Sequence, residues 1–168
     1  MYENSRSNSH DARGWFCVSV WIGCECSKTK FDAYLSGKSE VPAVDSNAHG
    51  QAMFELSPDG KSLRYTLSVD DAKDVTMAQI HLGDPGKAGK PVAPLYPADE
   101  KSGTGSSDEK AGMMNGVSVK GTITAGKFIG PLKGKTIDDL VEQIRSGKTY
   151  VNVRTKGHPD GEIRGTIE

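Results

Sequence analysis

Cysteine is scarce in this chain: there are three in 168 residues, Cys17, Cys24 and Cys26, and all precede the first segment with a strand pattern. From Phe31 onward the fold can depend on neither disulfides nor thiolate chemistry. Cys24-Glu25-Cys26 is half of a zinc site at most, because two thiolates one residue apart need further Cys or His ligands and no such motif follows. A charge excess is missing as well. A net charge of −1 gives no broad basic field, which argues against nucleic acid or anionic lipid as a partner held by bulk electrostatics. There is no Gly-x-Ser-x-Gly elbow, no phosphate-binding glycine loop opening into a helix, and no Asp-x-Asp-x-Asp calcium spacing, so the ordinary hydrolase, kinase and calcium-loop readings have no support.

Long apolar runs are absent too. Gly14 to Gly23 is apolar but too short to span a bilayer as a helix. Its length suits the apolar region of a secretory signal, Arg6 and Arg13 precede it, and Ile22-Gly23-Cys24 resembles an imperfect lipoprotein cleavage box in which Cys24 would carry lipid. Export, secreted or tethered to a membrane through Cys24, is the expectation. Glu3, Asp11 and Trp21 fit such a leader badly, and a disordered N-terminus is the alternative.

What the chain has in abundance is turn residues, with 20 glycines and 8 prolines between short segments of period two, the pattern of strands with one buried face. Phe31, Ala33 and Leu35 alternate with polar neighbours. Ala52, Phe54 and Leu56 do the same, then Ser57-Pro58-Asp59-Gly60 turns the chain into Leu63, Tyr65, Leu67 and Val69, a hairpin. Val75 to Leu82 is apolar on both faces and is expected to be central, with Gln79 and His81 sharing a face. Val92 to Leu95, and Val117 to Ile123 with a bulge or close approach at Gly121, supply further strands. Ala98 to Gly116 has no aliphatic periodicity and reads as a mobile loop. Thr136 to Ser146 is a helix with Thr136 and Asp139 as its cap and Gly147 as its stop. Val151 and Val153, Pro159-Asp160-Gly161, then Ile163 and Ile167 form a closing hairpin.

The expected fold is mainly β: one domain, an antiparallel Greek-key-like β-sandwich over residues 31–168, with one short helix before the C-terminal hairpin and a mobile loop at about 98–116. Residues 1–30 form a signal-like or disordered segment.

Several segments, in order and spacing, resemble the chordin-type CHRD domain: Phe31 to Pro42, Gly50 to Phe54, Leu63 to Leu67, Ala78-Gln79-Ile80-His81-Leu82-Gly83, Gly89 to Val92, Gly147 to Val153 and Gly161 to Gly165. The resemblance implies a β-rich, immunoglobulin-sized sandwich typical of extracytoplasmic microbial proteins, present also in animal chordin, with no transferable catalytic activity. This chain departs from the family pattern where Gln79 and Arg154 stand in place of usual histidines. A His-x-His pair with a third strand histidine would look like a Cu or Zn site. Here His81 alone remains, with His49 and His158 as weak further candidates, and Arg154 repels a metal.

The polar residues of the last strands define the candidate site. Gln79, His81, Asn152, Arg154, Glu162 and Arg164 can form one network, with the Glu162 carboxylate paired to guanidinium groups. One reading is an anion or polar-ligand subsite beside the glycine-rich loop; the other is cross-strand pairing that fixes register, with His81 bonded to Asn152, a carbonyl or a carboxylate. The function expected is a non-enzymatic extracytoplasmic binding or scaffolding module for a protein or small polar ligand, without cofactor. The alternatives are a Cu- or Zn-dependent oxidoreductase-like protein around His81, resembling superoxide dismutase, and self-association through strand edges. Mass spectrometry of the mature protein is expected to show the leader removed, with or without lipid on Cys24; an intact Met1 in the soluble fraction would refute export.

Overall fold

A computed structural model describes residues 28–84, 86–97 and 116–168. The signal-like run, Cys17, Cys24 and Cys26, and residues 98–115 of the expected loop lie outside the described residues. Gly116 belongs to a strand.

Among the described residues eight strands and one α-helix follow in order: β1 Lys30–Ser36, β2 His49–Leu56, β3 Ser62–Asp70, β4 Val75–Leu82, β5 Lys90–Tyr96, β6 Gly116–Thr124, α1 Ile137–Arg145, β7 Thr149–Thr155 and β8 Ile163–Thr166. They form one sheet of order β5-β4-β7-β8-β1-β2-β3-β6, each neighbouring pair antiparallel. The expected two-layer sandwich is replaced by a single, nearly closed, barrel-like sheet. Period-two burial could not separate the two, because sandwich and barrel strands both turn alternate residues toward one core.

Closure between β5 and β6 is made by side chains and loop backbone rather than by an eighth ladder. Tyr65 on β3 reaches across to donate its hydroxyl to the Leu95 carbonyl of β5 at 2.7 Å. Two 3-10 turns, Ala125–Lys127 and Gly130–Leu132, carry the chain from β6 onto β5, where the Ile129 N–H donates to the Val92 carbonyl at 2.9 Å. Gly121 sits opposite Tyr65 in the β3–β6 ladder. A Cβ there would lie 2.6 Å from the Tyr65 hydroxyl oxygen, so the expected close approach at this glycine is the passage of the Tyr65 ring.

The interior is one cluster. Phe31, Ala33, Leu35, Ala52, Phe54, Leu63, Leu67, Ala78, Ile80, Leu95, Val151, Val153 and Ile163 line it, and Ile137, Leu140, Val141 and Ile144 of α1 join it. Each large side chain buried this way is worth about 1.5–3 kcal/mol relative to exposure. The helix begins as expected: Thr136 accepts the Asp139 N–H while Asp139 accepts the Thr136 N–H at 2.8 Å, a reciprocal cap. Its end is set by Gly147 at φ +67°, a left-handed turn that suits glycine and feeds the chain directly into β7.

Two strands, β4 and β7, carry Gln79, His81, Asn152 and Arg154 of the candidate site. β4 lies between β5 and β7, and β7 between β4 and β8, so both are central, as the two-sided pattern of β4 implies. Every residue of β7 except Arg154 is buried.

The seam supplies a test. Gly121→Ala is expected to destabilise the protein by about 1–3 kcal/mol through overpacking against Tyr65. Gly126→Ala, at a position with nothing within 4 Å of the added carbon, should leave thermal stability near wild type. Equal midpoints for both variants would refute the tight passage at the seam.

Candidate functional site

On β7 the alternation that sends Val151 and Val153 into the core turns Tyr150, Asn152 and Arg154 to the outer face. Registers place partners beside them: Gln79 and Arg164 flank Asn152 on β4 and β8, and His81 is opposite Tyr150. Most of this outer face is buried. His81 is 4% exposed, Tyr150 4%, Asn152 5% and Arg164 4%, while Gln79 and Arg154 are half-buried.

Two connections tie down onto this face. In the β1–β2 connection, Glu40 accepts the Asn152 side-chain N–H at 2.7 Å, and Ser46 donates its hydroxyl to Glu162 at 2.6 Å. Thr155 donates to the second oxygen of Glu162 at 2.5 Å. Gly161, at φ +146°, makes room for the first of these contacts: a Cβ would lie 2.6 Å from both the Asn152 side-chain nitrogen and a Glu40 oxygen. In the β4–β5 connection, the Gly89 N–H donates to the Tyr150 hydroxyl at 2.7 Å and the Gly89 carbonyl meets His81 Nδ1 at 3.0 Å.

A carbonyl only accepts, so the proton of the neutral imidazole sits on Nδ1 and Nε2 is left as an acceptor. Burial, reinforced by the positive charges of Arg154 and Arg164, holds the His81 pKa below its ordinary value, with the Gly89 carbonyl opposing. The His81 and Tyr150 rings stack with centroids 5.2 Å apart. The Arg164 guanidinium lies 3.4 Å from the centroid of the Tyr150 ring, a cation–π contact worth about 0.5–2 kcal/mol.

The expected pairing of Glu162 with Arg154 or Arg164 is not formed. Glu162 precedes β8, and both its oxygens are held by hydroxyls. Among the described residues no carboxylate pairs with either arginine. Bonding capacity is left open on the same face: His81 Nε2, Asn152 Oδ1 and Arg154 Nε are buried with no hydrogen-bond partner among the described residues.

The remaining candidates are dispersed. His49 is exposed at the start of β2, its Nδ1 near the Asn47 carbonyl at 3.1 Å. His158 lies in the β7–β8 turn, where its carbonyl accepts the Thr155 and Gly161 N–H groups. Among the described residues no three His, Cys, Asp or Glu side chains gather as a metal site. Cys24 is outside the described residues.

The residues missed from sequence are Tyr150, Glu40, Ser46, Thr155 and Gly89. Tyr150 was within reach, since it shares period two with Asn152 and Arg154. Glu40 and Ser46 meet their partners 112 and 116 residues away, and no local pattern encodes that.

The His81 geometry predicts a pH dependence. Its folded pKa is depressed, so its contribution to stability is present above the unfolded value of about 6.5 and is lost as pH falls through that value toward the lower folded one. Urea denaturation should show a loss as pH falls through about 6.5 that His81→Asn reduces; identical pH slopes in the two proteins would refute this role.

A comparison with protein-family models matches residues 31–167 to the CHRD domain. A comparison with curated proteins returns no match.

Proposed function

Because the chain belongs to the CHRD domain family, we propose that it is a non-catalytic, extracytoplasmic binding module that takes a small polar ligand on the outer face of β4, β7 and β8. One observation carries this reading: two buried acceptors, His81 Nε2 and Asn152 Oδ1, and one buried donor, Arg154 Nε, have open bonding capacity on a face that also holds Arg164, and among the described residues neither arginine has a carboxylate partner. Leaving such a group unsatisfied costs about 1–3 kcal/mol. A ligand that completes several of them at once recovers that cost on binding.

The two nearby carboxylates favour binding over acid–base work. Glu40 is held by Asn152 and by the Val41 N–H, and Glu162 by Ser46 and Thr155. Both serve to fasten a connection to the sheet, and neither is turned toward the arginines as a base. The extracytoplasmic part of the reading rests on the apolar run ahead of Cys24. No helix among the described residues is long and apolar enough to cross a membrane.

Amide NMR of the full chain against a library of small polar fragments tests the proposal. Hits are expected to shift resonances of residues 79–81, 150–154 and 162–164. A library that leaves these residues unmoved, or fragments turned over chemically, would overturn it.

A further inference from the structure

Resting on the reading of this face as a binding site, we infer that it recognises a carboxylate carried next to hydroxyl groups, the chemistry of a sugar acid. The donors are the Arg164 guanidinium, whose central carbon lies 3.4 Å from the Tyr150 ring centroid, and Arg154 Nε. A planar guanidinium edge matches a planar carboxylate in two parallel hydrogen bonds. The acceptors are His81 Nε2 and Asn152 Oδ1, both buried and unpartnered. These need donors from the ligand, and hydroxyl groups supply them.

Other ligand classes meet only half of these demands. An inorganic phosphate satisfies the arginines but brings few protons for His81 and Asn152. A neutral sugar satisfies the acceptors but leaves two guanidinium charges uncompensated. An amino-acid zwitterion brings an ammonium group toward two cations. Stacking of a sugar ring is also not on offer from Tyr150, since His81 and Arg164 both pack on that ring. Recognition is therefore by polar groups, with the anionic end fixed first.

The test is calorimetry on the full chain with four probes: D-glucuronate, a galacturonate trimer, D-glucose and inorganic phosphate. Binding of glucuronate or the trimer, weakened about tenfold or more by Arg154→Gln and by Arg164→Lys, is the expected result. The tighter of the two shows whether the acid is met free or within a polymer. Arg154 is half-buried, so its variant guards against misfolding of the Arg164 one, with an unchanged melting temperature as the check. Equal binding of glucose, tighter binding of phosphate, or glucuronate binding indifferent to both variants overturns the inference. If neither acid binds while other fragments shift the same face, the ligand class is wrong and the binding reading stands. If nothing shifts the face, both fall.

Discussion

Strand β7 is covered on both faces, and a strand in that position has two surfaces to satisfy at once. Its inner face meets the demand with Val151 and Val153 in the common core. Its outer face carries Tyr150, Asn152 and Arg154, whose polar atoms need partners once water is removed. Much of the remaining architecture answers that need. The β1–β2 connection brings Glu40 and Ser46 across the sheet, the β4–β5 connection brings Gly89, and β8 lays Arg164 over Tyr150. The helix contributes indirectly, since its left-handed stop at Gly147 aims the chain into β7.

The site arises from the incompleteness of that answer. Aromatic stacking and one glycine peptide fix His81 and Tyr150 in place, so the open Nε2 of His81 is held in a defined direction. On the proposed reading, such a group is preorganised for a ligand. The two arginines differ in kind: Arg164 is immobilised against a ring, while Arg154 is half-exposed at the margin.

Local structure was largely legible in the sequence because it is written in local physics. The strand pattern at Phe31 to Leu35, the turn at Ser57 to Gly60 and the reciprocal cap of Thr136 with Asp139 each depend on neighbours a few residues apart. Membership of the family was legible for the same reason, being a series of short segments in order. The closure of the sheet was not, because it hangs on Tyr65 reaching Leu95 and on a loop crossing to Val92. The site was half legible. Period two placed Asn152 and Arg154 on one face, but opposite charges two residues apart suggested an ion pair, whereas Glu162 turns to hydroxyls contributed from elsewhere.

Gly89 holds the two rings through its own peptide group, N–H to Tyr150 and carbonyl to His81. A Cβ there would be driven into the Leu82 carbonyl, so the position is closed to substitution. The contacts it makes, however, ask nothing of any side chain in its connection. The exposed neighbours Lys87 and Ala88 can therefore change while the geometry of the rings stays constant. Ring geometry and the neighbouring side chains are thereby independent of one another within a single short connection.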